Sequence, residues 1–332
     1  MSQNNSVTKK VTRILVFEEP TIDMYVLVDE MPKRGTDTMG RDFFSIPGGA
    51  LNISIMLARL GIDVQILAYI GNDQFEKIIR SSIQREGIND ATLKTVDGKT
   101  TVCMTFVDKE GERTFITIPG VGKKITKSAI ESVDLTRFNY LFLSGYSFSK
   151  PEISEATLYF FERAKAIGLP IIFDPGTAVY YAPKDLLLNV AKNAHFVFLN
   201  SEELRTLTGL DTITLAGREI VGSTNKLVVV KLGSEGCAVI TRDFAKFYPA
   251  YEIDNVVDTT GAGDAFNAAF TYGYLKTKNV DIAANFANLV GAISTTKMGA
   301  GPNLPTLKDI LKEIKKRNIK IILPLLEFDL IE

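Results

Sequence analysis

The chain has 332 residues, with 38 basic and 39 acidic side chains and a formal net charge of −1. Balanced charge leaves no electrostatic footprint for a nucleic-acid partner, and 45% hydrophobic with 23% charged residues excludes a disordered chain. At roughly 100–200 residues per domain, the length admits two domains or one large α/β domain carrying an insertion, and the motifs favour the second.

Met1 to Lys10 is polar and leads directly into Arg13-Ile-Leu-Val-Phe17, without the apolar stretch of a secretion signal. No run approaches the ~18 apolar residues of a membrane span, so neither a membrane partner nor an anchor is expected. Two cysteines, Cys103 and Cys237, lie inside strand-like runs, too few for an oxidised scaffold, which predicts a cytoplasmic setting. The single histidine, His195, removes most zinc-site and catalytic-triad possibilities and reads as structural.

Along the chain, short β-branched or aromatic runs alternate with helical periodicity. Strands are predicted at Ile14–Phe17 and Met24–Val28, a helix at Leu51–Leu60, a strand at Gln65–Ile70 and a helix at Gln74–Glu86. In Lys99–Ile118, Val102, Met104 and Phe106 alternate with Thr101, Cys103 and Thr105, and Asp108-Lys-Glu-Gly111 makes a polar turn before Arg113-Thr-Phe-Ile-Thr-Ile118. This is a β-hairpin inserted into an α/β chain. It could join Met24–Val28 in a small sheet standing as a lid over the main one, or simply add antiparallel edge strands. Strands follow at Tyr140–Leu143, Ile171–Phe173, Phe196–Leu199 and Leu227–Lys231, with helices at Glu155–Ala166, Gly263–Leu275 and Ile282–Thr296. The whole reads as a three-layer α/β/α sheet, mostly parallel. After the amphipathic stretch Leu307–Lys316, the apolar, β-prone run from Ile319 to Phe328 is expected to dock as an added strand or against the surface.

The strongest local signal is Val257-Asp-Thr-Thr-Gly-Ala-Gly-Asp-Ala-Phe266, read as a strand-like segment entering a glycine-rich turn that opens a helix. Gly261, Ala262 and Gly263 can present backbone N–H groups to an anion at the positive end of the helix dipole. Asp264 stands at the same helix start, where it can take a proton from an attacking hydroxyl or merely cap the helix. The turn lacks the Lys-Ser/Thr pair of a Walker A loop. It is also not the G-x-G-x-x-G of a dinucleotide site after the first strand.

This turn resembles the anion hole of the ribokinase and phosphofructokinase-B (PfkB) family of sugar and nucleoside kinases, and further motifs agree in order from about Arg13 to Lys316. Pro47-Gly48-Gly49-Ala-Leu-Asn52, followed by Ala58-Arg-Leu-Gly61, is similar to the substrate loop and its helix, and Asp23 to the aspartate that holds vicinal hydroxyls. Lys231-Leu-Gly233-Ser234-Glu-Gly236 resembles the nucleotide loop. Asn200-Ser-Glu-Glu203 resembles the family's Asn-x-x-Glu motif, which places Asn200 at the phosphates and Glu203 at the water shell of Mg2+; as a bare tetrapeptide it equally suits a helix N-cap. The segment Gly291–Pro305 resembles the family's closing segment. By that match Asn288 lies at the nucleotide, and Asp258, Thr260, Ser294, Lys297, Gly299 and Asn303 surround a monovalent cation such as K+, largely through carbonyl oxygens.

The resemblance implies a ribokinase-like kinase domain over residues 11–317, with lid strands inserted from about 24–46 and 99–118, and a C-terminal extension over 318–332. It implies ATP-dependent phosphorylation of a primary hydroxyl of a sugar or sugar acid, with Asp264 as base, and a possible homodimer through the lid sheet. A nucleoside kinase of the same superfamily is the nearest alternative. A non-catalytic ligand sensor would not need Asp264 and Glu203, and a dinucleotide oxidoreductase conflicts with the first strand's exit into Glu18-Glu-Pro. Three departures touch acceptor contacts. Glu18 and Thr21 replace the family's Gly and Asn before Asp23, the glycine loop is one residue shorter before Asn52, and Ser144-Gly145-Tyr146 stands where ribokinases carry an acid.

Overall fold

A computed structural model describes residues 11–110, 112–149, 151–222 and 226–326, with residue 152 described by its backbone alone. Met1–Lys10, Gly111 of the predicted turn, and Glu327 and Phe328 of the predicted apolar tail lie outside the described residues.

Thirteen strands are described: β1 (Arg13–Phe17), β2 (Pro20–Val28), β3 (Gly40–Gly49), β4 (Asp63–Gly71), β5 (Asn89–Val96), β6 (Thr101–Val107), β7 (Arg113–Ile118), β8 (Tyr140–Ser144), β9 (Ile171–Asp174), β10 (Phe196–Asn200), β11 (Leu227–Lys231), β12 (Cys237–Ile240) and β13 (Ala245–Tyr248). They form a nine-stranded sheet, β13-β12-β11-β10-β9-β8-β1-β4-β5, and a separate four-stranded sheet, β3-β2-β6-β7. In the large sheet the strands from β11 across to β5 pair in parallel, and β12 and β13 add an antiparallel edge.

Side-chain alternation along each central strand feeds two cores. In β1, Ile14 and Val16 pack on one face, with helices Ala50–Arg59, Glu76–Arg85, Ala262–Thr277, Val280–Ser294 and Leu307–Arg317. Leu15 and Phe17 pack on the other, with helices including Pro151–Ala166, Lys184–Asn193, Ser201–Thr208 and Ile213–Val221. A sheet covered on both faces needs apolar residues at every position, which is why these strands stand out as continuous runs. The strand order reverses at β1, flanked by β8 and β4, so the carboxyl ends of β1 and β8 open a cleft at the switch point.

Several local expectations change. Met24–Val28 is the second half of a nine-residue strand, because β2 pairs along its length with β3 and with β6. Pro47-Gly48-Gly49 is the end of β3 and not a free loop, since Pro47 and Gly48 pair with Ile22 and Thr21. The segment leading to Asp258 is irregular: Val256 and Val257 are exposed, and the Val257 and Asp258 N–H groups both donate to the Thr295 carbonyl instead of a neighbouring strand. Of the two expectations for the tail, the added strand is not formed: a short 3-10 turn and the helix Leu323–Leu326 pack against the first core, because Ile319, Ile322 and Leu325 recur at helical spacing and are buried there. His195 accepts a hydrogen bond from the Ile171 N–H on Nδ1, 3.3 Å away, ahead of β10.

Candidate active site

The helix Ala262–Thr277 begins at Gly261, which adopts φ 74°, and no side chain caps its first turn. A β-carbon at Gly261 would lie 2.6 Å from that of Ala300, so both the backbone angle and the packing demand glycine here. The Ala262 N–H closes a turn on the Thr259 carbonyl at 3.2 Å. Over Gly263 stands the Lys231 ammonium, 3.3 Å from where a β-carbon would sit. Lys231 ends β11 and pairs at 3.1 Å with Asp174, the last residue of β9, which also accepts from Asn267 Nδ2 at 2.5 Å. Burial works against the charged ammonium, but Asp174, Glu203 and Asp264 raise its pKa, so it stays protonated beside the uncapped helix end.

Asp264 is half-buried in this setting. Desolvation, and then the negative charge of Asp174, lift its pKa to about 6, while Lys231 and a hydrogen bond from Asn52 pull the other way. Asn52 joins the two halves of the site. Its Nδ2 donates to Asp264 Oδ2 at 3.0 Å, and its Oδ1 accepts from the Gly301 N–H at 3.0 Å. The Asp264 carboxylate is thereby oriented from across the cleft instead of being spent on its own helix.

Asp23 lies on the cleft face of β2. Thr21 donates to its Oδ1 at 2.9 Å, so the residue that replaces the family's asparagine contacts the same carboxylate. Burial lifts the Asp23 pKa to about 6. A β-carbon on Gly48 would lie 2.2 Å from Asp23 Oδ2, so Gly48 leaves room for that carboxylate. Gly49, at φ 59°, turns the chain from β3 into the Ala50 helix. Two departures meet at adjacent strand ends: Phe17 pairs with Leu143, and Glu18 bonds Ser144. Burial and the neighbouring Asp264 push the Glu18 pKa well above the usual carboxylate range.

Asn200 and Glu203 form a reciprocal capping box, with the Asn200 N–H donating to Glu203 Oε2 and the Glu203 N–H to Asn200 Oδ1, both at 2.7 Å. Glu203 is buried, and desolvation followed by Asp174 raises its pKa. Gly233, Ser234 and Gly236 make the 3-10 turn between β11 and β12. Asn288 is buried and donates to the Tyr248 and Pro249 carbonyls at 3.1 and 2.9 Å, which holds the chain leaving β13.

Of the six residues expected around a cation, Asp258 is at the centre. Its Oδ1 accepts from the Thr260 N–H and hydroxyl at 2.9 and 2.8 Å, and its Oδ2 accepts from the Gly299 N–H at 2.7 Å. The side chains of Ser294, Asn303 and Lys297 are turned elsewhere. Ser294 donates to the Gly291 carbonyl, Asn303 to the Met298 carbonyl, and Lys297 pairs with Asp309.

Three contributors escaped the sequence reading. Asp174 had a signal, an Asp-Pro-Gly following a strand at the cleft edge. Tyr25 and Arg113 had none, because they reach the Asp258 turn from the small sheet across more than two hundred and about 145 residues of chain.

Residues 11–307 match the pfkB family carbohydrate kinase description. The chain belongs to this family. It is 33% identical over 258 residues to an uncharacterized sugar kinase of Archaeoglobus fulgidus, covering 76% of this chain and 99% of that one. It is 31% identical to fructokinase-1 of Zea mays, covering 82% and 90%. The solved structure of a ribokinase from Thermotoga maritima superposes with a TM-score of 0.77 at 26% identity, covering 92% of this chain and 99% of that one. The fold is accordingly ribokinase-like, and the protein is a sugar or nucleoside kinase. Within this PfkB kinase the small sheet is a separate body over the cleft. The register puts Asp23, Cys103 and Thr117 on its cleft face, and Met24, Met104 and Ile116 on the other.

Proposed function

We propose that this kinase transfers the γ-phosphoryl group of ATP to a primary hydroxyl of a sugar or sugar acid. The observation that carries the reading is Asp264: a half-buried carboxylate with a pKa of about 6, held by Asn52 at the start of a helix that no side chain caps. The acceptor oxygen attacks the γ-phosphorus as the bond to ADP breaks, and the hydroxyl proton passes to Asp264. The Gly261–Gly263 turn and the Lys231 ammonium stabilise the charge on the transferring group, their positions fixed beforehand by the fold.

Mg2+, if bound, would supply positive charge against the nucleotide phosphates. Among the described residues no cluster of three carboxylate, histidine or cysteine side chains forms a direct metal cage. Glu203 with Asp174 beside it suits an ion that keeps most of its waters, and both carboxylates flank the Lys231 ammonium. Asn200 and Ser234 lie on turns at the carboxyl ends of β10 and β11, where the nucleotide is proposed to bind.

Asp23 is proposed to take vicinal hydroxyls of the acceptor, with Gly48, Gly49 and Asn52 lining the same wall. Glu18 supplies, from the end of β1, the acid that ribokinases carry after β8. Residues 11–317 are proposed to form the catalytic unit, and the half-exposed outer face of the lid, with Phe43, Ile116 and Ile118, to meet a second copy. Light scattering at several concentrations tests the dimer. Two unpaired cysteines in different sheets support a cytoplasmic setting, and no described helix is long and apolar enough to cross a membrane. A panel of sugars, sugar acids and nucleosides assayed for ATP consumption tests the function. Turnover of nucleosides alone would overturn the acceptor class, and no turnover with any member would overturn the reading.

A further inference from the structure

The Asp258 carboxylate has only 3% of its side chain exposed, and the two hydroxyl and amide donors of Thr260 with the Gly299 amide satisfy its hydrogen bonds but not its charge. The charge is met from the lid. Arg113 lies opposite Val107 near the tip of the β6–β7 hairpin, and its Nη1 reaches Asp258 Oδ1 at 3.3 Å and Thr260 Oγ1 at 2.8 Å, while Nη2 donates to Thr259 Oγ1. From the same face of the lid, the buried Tyr25 hydroxyl lies close to Thr260 and Asp258 and has no partner at hydrogen-bond distance among the described residues. Lys297, the one cation in the closing segment, is committed to Asp309 at 3.0 Å.

We propose that the Arg113 guanidinium is the cation that completes the turn in front of the anion hole, so that seating the lid, rather than binding a free potassium ion, fixes Asp258 and the residues that follow it. The residues implied for a monovalent cation do not fit a second positive charge at Asp258 while Arg113 is there, because the carboxylate oxygens already accept four donors, one of them charged. Asp258 ties Thr260 to Gly299, and Thr260 precedes the helix N-cap, so an unpaired Asp258 would loosen the loop that carries Gly261–Gly263. Coupling of this kind is reciprocal: what seats the lid orders the anion hole, and an anion in the hole favours the seated lid. Arg113 is thus a positioning residue that works through the turn. The inference rests on the kinase reading only for the place of the transferred phosphate, and its stability readout stands without turnover.

The test compares the wild type, Arg113→Ala and Arg113→Lys in potassium and in tetramethylammonium chloride at matched ionic strength and fixed magnesium, by thermal unfolding and by turnover of the acceptor found in the panel. The wild type should unfold at the same temperature and turn over at the same rate in both salts. In tetramethylammonium, Arg113→Ala should lose about 5- to 150-fold in kcat, the range of a typical coupling, and unfold earlier. Potassium or added guanidinium should restore both, and Arg113→Lys should fall between. A wild type whose unfolding temperature and rate rise with potassium would overturn the proposal. So would an Arg113→Ala protein that matches the wild type in both salts, or one whose loss neither cation repairs.

Discussion

The two sheets border one cleft and are built on different terms. The nine-stranded sheet is covered on both faces, and its site residues sit at the carboxyl ends of strands whose other positions are core: Asp174 after Phe173, Asn200 after Leu199, Lys231 after Val230. Its polar groups answer one another within a dry shell, as the Asp174–Lys231 pair and the Asn200–Glu203 box show. The four-stranded sheet has one face toward the cleft and one largely open, and edge strand β7 is exposed along nearly its whole length. It holds to the large unit near the chemistry by a few polar contacts, chiefly those of Arg113 with Asp258 and Thr260. The difference assigns a rigid, preorganised role to the first and an adjustable one to the second.

The sharpest cut through the rigid half is Asp264→Asn, which should leave nucleotide binding in place and lower kcat by roughly 10² to 10⁴, the span of a positioned general base. Near-normal turnover would remove Asp264 as the base. The same variant should be more stable above pH 6. A carboxyl whose pKa is raised by the fold from 3.8 to about 6 binds its proton more tightly when folded, so stability is lost as pH rises through that window. The neutral amide escapes the loss, a gain of up to about 3 kcal/mol at neutral pH that fades below pH 4. Urea midpoints at pH 4 and pH 7.5 read it directly.

Both halves enter the pH dependence, because Asp23 on the lid and Asp264 on the helix each have a pKa of about 6 and each acts ionised. For the free enzyme, kcat/KM should be level above pH 7 and fall below 6, by about ten- to a hundredfold per pH unit as one or both carboxylates protonate. The two feel each other's charge, so the limbs belong to the pair. A profile flat down to pH 5 would exclude both as ionised participants.

On the lid side, Gly48→Ala places a methyl group 2.2 Å from Asp23 Oδ2 and forces that carboxylate aside. The expected result is a KM for the acceptor raised by roughly tenfold to a hundredfold, the worth of a charged hydrogen bond, with kcat changed much less and a stability cost of about 1–3 kcal/mol. A lower kcat with unchanged KM would mean that Asp23 serves the rigid half.

The same contrast explains what the sequence disclosed. Ile14–Phe17, Phe196–Leu199 and Leu227–Val230 are readable because burial on both faces demands apolar residues at every position. The glycine turn and its aspartate are readable because backbone geometry and helix polarity constrain residue type within ten positions. The lid was half legible. The β6–β7 hairpin showed through its alternation, but β3 did not, since the outer half of Gly40–Gly49 is exposed and has no apolar period. The two edge strands β5 and β13 were passed over, and so were three helices between Lys184 and Val221, whose apolar faces are short. Arg113 and Tyr25 were invisible because their partner, Asp258, is distant in sequence and a lone arginine in a hairpin tip looks like solvent charge. Asn288 shows the converse: an asparagine matched by motif to the nucleotide is buried under Tyr248 and Pro249, and its hydrogen bonds serve the backbone.

The smallest effect bears most directly on whether the lid adjusts at all. Phosphoryl transfer in an open cleft would let water compete with the acceptor, so seating the small sheet should be favoured by acceptor contacts at Asp23 and Asn52. Saturating acceptor should slow amide exchange across Thr101–Val107 and Arg113–Ile118 by several-fold, and a non-hydrolysable nucleotide alone should do so only weakly. Exchange in β1, β8 and β10 should not respond to either, because those amides open with the core. Equal exchange in β6 and β7 with and without acceptor, in the presence and absence of nucleotide, would make the small sheet as static as the large one. The distinction between a rigid and an adjustable half would then rest on exposure alone, without a role in turnover.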